Sequence, residues 1–252
     1  MAGHSKWANT KHRKGRQDKK RSALFGKLSR AIFVAAKNGD PNPDNNAALA
    51  TAIAKAKGYS LPKDNIATAI AKASGTSGDG ASWDEVIYEG YGPAGIAVYA
   101  ECLTDNRNRT AADVRAAFTK AGGNLGTSGS VAFQFQRKGE IVVDISTGNF
   151  NEDEFMLSVA EAGGDDYHLD DDVALVFTDA SELMAVKAAL EDANYSVRGA
   201  EIVMEPVNPQ VVETSDAKKV MRLIDRLEDL DDVQNVSHSM ELSDEQAEAL
   251  DA

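Results

Sequence analysis

The chain has 252 residues, 42% hydrophobic and 27% charged, an ordinary globular composition with length for two or three domains. Its apolar stretches are short and broken by charge, which excludes a membrane-spanning helix. Its one cysteine, Cys102, excludes intrachain disulfides and multi-cysteine zinc sites and predicts a reducing, cytoplasmic setting.

The net charge of −13 is unevenly divided. Residues 1–30 hold ten Lys/Arg against one acid, Asp18, whereas the rest of the chain holds 17 basic and 39 acidic residues. Asymmetry of this size points to a polyanion partner for the basic end, because an acidic body repels nucleic acid laid across it. The opening stretch MAGHSKWANTKHRKGRQDKKR has no apolar core, so it does not read as a secretory signal. It also lacks the amphipathic face of a mitochondrial transit peptide before Ala23. Within it, Lys6, Lys11, Arg13, Lys14, Arg16, Lys19, Lys20 and Arg21, followed by Lys27 and Arg30, can neutralise phosphates. Trp7 offers a stacking surface for an unpaired base. A solvated polybasic tail and a membrane-surface anchor are the competing readings, and no lipidation motif accompanies the second.

From about Gln17 the residues Leu24, Leu28, Ile32 and Ala35 recur at helical spacing until Gly39, Pro41 and Pro43. Asp44 is a candidate N-cap for a second, alanine-rich helix ending before Gly58. A third follows Pro62, with Ile66, Ala69, Ile70 and Ala73 on one face. These three predict a small bundle of marginal independent stability, since alanine buries little area. The Gly/Ser-rich stretch 74–82 reads as a flexible linker.

Beyond it the pattern is mixed. Strands are predicted at 84–90 and 95–103, a helix at 107–121 and a strand at 130–136, where Val131, Phe133 and Phe135 alternate. Then come strand 140–145, helix 151–162 capped by Asn151, strands 166–169 and 173–178, helix 181–193 capped by Ser181, and strand 199–205. This β-α-β-β-α-β order is ferredoxin-like. Strand 209–213, helix 215–229 and strand 233–239 complete a second such unit with the flanking elements. The predicted class is α+β: an N-terminal three-helix domain followed by two ferredoxin-like α/β domains, one inserted in the other. Residues 1–76 form the basic tail and bundle, 83–137 with 206–240 the outer domain, 138–205 the insert and 241–252 an acidic tail.

Three further stretches bear on chemistry. Arg107 and Arg109 open a helix whose free N–H groups could hold phosphate, with capping by Asp105 as the alternative. The glycine-rich stretch 122–130 follows a helix and precedes a strand, the reverse of a P-loop, and reads as a helix C-cap and turn or as a loop reaching nucleic acid. Asp165, Asp166, Asp170, Asp171 and Asp172 around His168 lack EF-hand spacing and read as a solvated acidic turn. No catalytic constellation stands out, so no enzyme activity, metal, cofactor or small-molecule substrate is expected.

MAGHSKWANTKHRKGRQDKKR from Met1, YEGYGPAG at 88–95, ECLTDNRNRT at 101–110, GGNLGTSGSVAFQF at 122–135 and LEDLDDVQNVSHS at 227–239 closely resemble the YebC/PmpR family. Mitochondrial members of that family are the translational activators of cytochrome c oxidase. The resemblance implies a helical domain followed by two α/β domains, and its start at Met1 argues against a transit peptide. For bacterial members it implies transcriptional regulation by DNA binding; for others it implies ribosome-associated relief of stalling, including at proline runs. It carries no residue-level binding site, so the residues named above rest on charge and placement. The expectation is a cytoplasmic DNA-binding transcriptional regulator. The alternative is a translation factor that binds ribosomal RNA.

Overall fold

A computed structural model describes residues 17–74, 83–146, 150–170, 172–243 and 246. Of the linker expected at 74–82, Ser74 belongs to the third helix of the bundle, and residues 75–82 lie outside the described residues, as does most of the acidic C-terminal stretch. The architecture is α+β, with a helical bundle and two sheets each covered by a pair of helices.

The bundle consists of α1 (Gln17–Asn38), α2 (Ala47–Gly58) and α3 (Lys63–Ser74). The predicted apolar spacing closes into one core in which Leu28, Ile32, Leu49, Leu61 and Ile66 are buried among alanines. The cap of α2 is Asn46, not Asp44, which lies in a short 3-10 turn over Pro43–Asn45. The Asn46 amide can both accept and donate. Its Oδ1 accepts from Leu49 N (3.0 Å), while Nδ2 donates to the carbonyls of Ala35 and Asp40, tying the turn to α1.

The outer sheet has the order β3-β1-β2-β9, from β1 (Asp84–Tyr91), β2 (Ala97–Thr104), β3 (Asn124–Leu125) and β9 (Val233–His238). Helices α4 (Arg107–Ala121) and α7 (Thr214–Glu228) cover one face, enclosing Ile96, Val98, Cys102, Val114, Phe118, Val220, Leu223 and Leu227. Burial there pushes the Cys102 thiol pKa up to about 12.

Two predicted strands of this module do not form as read. Residues 130–136 turn through a 3-10 segment, Ala132–Gln134, that leaves Phe133 74% exposed. The stretch 209–213 yields only β8 (Gln210–Val211), paired in parallel with β10 (Met240–Glu241). Pro206 precedes that stretch and Pro209 opens it, and neither supplies a ladder donor. Strand β1 and the short β3 occupy the sheet positions those segments were expected to take.

The inserted module follows the ferredoxin-like order more directly. Strands β4 (Phe135–Asp144), β5 (Asp166–Asp170), β6 (Val173–Asp179) and β7 (Ser196–Pro206) align as β5-β6-β4-β7, all antiparallel. Helices α5 (Glu152–Ala162) and α6 (Leu183–Asp192) pack over Ile141, Val143 and Val176. Asn151 caps α5 as expected. Ser181 does not cap α6: its N–H and hydroxyl are both taken by the Asp179 carboxylate, and the helix begins two residues later.

The three parts lock together through polar contacts. Lys55 of α2 pairs with Glu201 of β7 (2.8 Å) and donates to Asn235 of β9, which donates to Glu101 of β2 (2.9 Å). Helix α2 approaches β7 so closely that a Cβ on Gly199 would stand 2.6 Å from the Gly58 Cα. Glycine at both positions is what permits the contact.

Candidate nucleic-acid interface

The cationic run divides by function once α1 is placed. Lys27 is buried and donates through Nζ to the Glu228 carbonyl at the end of α7 (2.6 Å). Arg30 donates to the Asp231 carbonyl (3.0 Å), stacks over Trp83 at 4.8 Å and lies 3.7 Å from Asp232. Helix C-termini leave carbonyls without partners, so Lys27 satisfies the end of α7 while Arg30 bonds the turn just beyond it, and the two anchor α1 to the outer module. Burial lowers the Lys27 pKa, and the carboxylates of Glu228, Asp231 and Asp229 oppose that shift. These two side chains are therefore spent on docking.

Arg21 differs. It is exposed, with its guanidinium 5.3 Å from the Phe25 ring centroid, and it borders a groove of about 510 Å³ lined by Ser22, Phe25, Gly26 and Ser29 of α1 and Asn65 of α3. Lys19 and Lys20 lie in the first turn of α1, where only the backbone is described. Lys6, Trp7, Lys11, Arg13, Lys14 and Arg16 lie outside the described residues.

Arg107 and Arg109 stand at the start of α4, as expected, but both are engaged within the protein. Arg107 Nε donates to Asp84 (2.7 Å). Arg109 Nη2 donates to Asp105 (2.8 Å) and to Asp232 (2.7 Å). Asp232, although 125 or so positions away in sequence, also accepts from Thr110 (2.8 Å) and Thr104 (3.2 Å). Burial works against its charge, yet the Arg109, Thr110 and Thr104 bonds hold its pKa below the usual value. The cap of α4 is Asn106, whose Oδ1 accepts from Arg109 N (3.1 Å), not Asp105. Arg30 and Arg109 thus converge on one carboxylate, which brings α1 and the N-terminus of α4 together.

The glycine-rich stretch is a built loop. Gly122 closes α4 in the left-handed region (φ +82). Beyond it, the Glu89 carboxylate accepts from the N–H groups of Gly129 (2.6 Å), Val131 (2.8 Å) and Ala132 (2.7 Å). Burial alone would raise the Glu89 pKa, but these three bonds prevail and lower it. Tyr91 adds a bond from its hydroxyl to the Ser130 carbonyl (3.1 Å). The clamp aims Phe133 outward.

Among the acidic residues around His168, Asp165 pairs with Lys138 (2.6 Å) and Asp172 with Arg198 (3.3 Å). No group of three or more His, Cys, Asp or Glu side chains that could hold a metal occurs among the described residues.

Residues 5–76 match the profile of the TACO1/YebC protein N-terminal domain, and residues 83–240 that of the TACO1/YebC second and third domain. The chain belongs to the TACO1/YebC family. A "probable transcriptional regulatory protein" of Bifidobacterium animalis subsp. lactis is 49% identical, across 100% of this chain and 99% of its own. One of the same description from Lactobacillus acidophilus is 50% identical over 94% of this chain and 97% of its own. The crystal structure of a conserved hypothetical protein from Aquifex aeolicus superposes with a TM-score of 0.80 at 42% identity, covering 90% of this chain and 93% of that one.

Sequence reasoning missed two features. The alternation of Val131, Phe133 and Phe135 predicts a strand, and cannot show that Glu89 takes the N–H groups a strand would use. The outward side of α7 gives no sequence signal of its own, because apolar spacing marks only the buried face.

Proposed function

We propose that this TACO1/YebC family member is a cytoplasmic, non-enzymatic regulator of gene expression that binds nucleic acid through its cationic N-terminal segment, and that its target is DNA. The observation that carries this reading is the segregation of charge: ten of 27 basic residues lie in the first 30 positions of a chain whose remainder is strongly acidic. Docking by Lys27 and Arg30 supports it further. Those contacts hold α1 against the outer module and leave Arg21 exposed beside the groove. Cations clustered this way bind phosphates with release of condensed counterions. The descriptions of the Bifidobacterium and Lactobacillus relatives agree with a transcriptional role.

Exposure of Phe133 favours a second reading, a ribosome-associated factor that contacts ribosomal RNA. An aromatic ring held outward by a clamped loop can stack on an unpaired base, which duplex DNA does not offer. Crosslinking in cells followed by sequencing of bound DNA and RNA separates the two. Enrichment of chromosomal promoter fragments is the expected result; enrichment of large-subunit ribosomal RNA without DNA overturns the transcriptional assignment in favour of the ribosomal one.

A further inference from the structure

The two sheet modules share an architecture and differ in the charge of their helical layers. In the inserted module, α5 carries Glu152, Asp153, Glu154 and Glu161 with no basic residue, and the one lysine of α6, Lys187, is paired with Glu191 (2.6 Å). In the outer module, α4 and α7 together carry eight Lys/Arg against four acids. A polyanion is repelled by the first layer and drawn to the second.

Within the basic layer the charges are arranged. Ala217, Val220, Leu223, Ile224 and Leu227 bury one side of α7. Opposite them, Lys218, Arg222 and Arg226 recur at four-residue intervals, about 6 Å apart along the axis. All three are exposed, and none makes a hydrogen bond or ion pair with a described residue. Their neighbour Lys219 is held by Asp216 (2.7 Å). On the adjoining α4, Arg115 and Lys120 are likewise exposed and without a carboxylate partner among the described residues, while Asp113 precedes them on α4 and the last turn of α7 carries Asp225 and Glu228, with Asp229 just beyond. Elsewhere in the sheet modules Arg107, Arg109, Lys138 and Arg198 are each paired with a carboxylate, and Arg137 on β4 is the exposed exception.

We infer that the outward side of α7, flanked by Arg115 and Lys120 of α4, is a second contact surface for a nucleic-acid phosphate backbone. It deepens the function proposed above and rests on it. Lys27 of α1 docks on the Glu228 carbonyl, two residues beyond Arg226, so the cationic N-terminal helix leads onto one end of the stripe. A strand gripped by the N-terminal segment then continues across α7, and three evenly spaced cations neutralise successive phosphates without reading bases.

The test is the triple variant K218A/R222A/R226A in the full chain, with a 30-base-pair random-sequence DNA duplex and a 30-nucleotide single-stranded RNA as probes. Binding is followed by fluorescence anisotropy between 50 and 200 mM salt, and melting temperature serves as a check that the fold is intact. Each phosphate contact contributes about 0.9 to the slope of log K against log salt on duplex DNA. The variant should therefore lose about two to three from the wild-type slope and bind about 10- to 100-fold more weakly at 150 mM salt. Wild-type protein that binds while the variant keeps its Kd and slope overturns this inference and leaves the N-terminal reading standing. Wild-type protein that binds neither probe overturns both.

Discussion

Glu89 shows how a single carboxylate redirects a chain. Residues 130–136 carry the alternation of a strand, yet the N–H groups of Val131 and Ala132 point at Glu89 and the segment turns instead. In Glu89→Gln the amide can accept at one atom only, leaving part of the clamp unmet, at a cost of about 1–3 kcal/mol. The sign with pH follows from its lowered folded pKa: the clamp's contribution is complete above the ordinary glutamate range and is lost as pH falls through the folded value. Amide exchange at Gly129, Val131 and Ala132, faster in the variant than in the wild type, checks this.

Glu140 is the opposite case. It is fully buried on β4, directly across from Glu201 on β7, and neither carboxylate oxygen has a partner among the described residues. Burial, then the charges of Glu201 and Glu205, push its pKa well up, with Lys55 working the other way. A raised carboxyl pKa means stability present at low pH and lost as pH rises from the unfolded value through the folded one. Glu140→Gln removes that loss. It should raise stability at pH 8 by about 1.4 kcal/mol for each pH unit between the two pKa values, with no gain near pH 4. Denaturant melts of the two proteins at pH 4, 6 and 8 measure the difference.

At the level of elements, helices were the most legible part of the fold. Three- and four-residue spacing placed all three bundle helices, because apolar side chains at those intervals share one face whatever lies opposite. The ferredoxin-like order of the insert was legible for the same reason, with alternation marking its strands. Register and partners were not, since they depend on residues far apart in sequence. Arg109 reads as a free cation until Asp232 is seen beside it, and Asp44 reads as a cap until Asn46 is. The same holds for Lys27, one more charge in a basic run until its bond to α7 appears. Lys27→Met keeps the apolar stem and removes the donor to Glu228, leaving a helix-terminal carbonyl unmet at a cost of about 1–2 kcal/mol. Limited proteolysis should then release the bundle from the outer module sooner, at protein concentrations where the wild type resists. Equal resistance would assign the docking to Arg30 and Lys55 instead.

Over the whole molecule, docked helices and paired arginines convert a simple division of charge into a directional one. The acidic insert meets a polyanion with repulsion, whereas α7 offers it the exposed cations Lys218, Arg222 and Arg226. The residues expected to grip most strongly, Lys11, Arg13, Lys14 and Arg16, are named from composition alone, because charge density needs no tertiary partner to act at a distance. Their contribution is measured directly by titrating a labelled 30-base-pair duplex with the wild-type chain and with K11E/R13E/K14E/R16E as salt rises from 50 to 200 mM. With six to ten phosphates contacted, wild-type affinity should fall about 10³- to 10⁵-fold over that range, and the variant should bind too weakly to measure while melting at the wild-type temperature. Equal affinity of the two proteins, or binding by the wild type that salt does not weaken, would contradict the account.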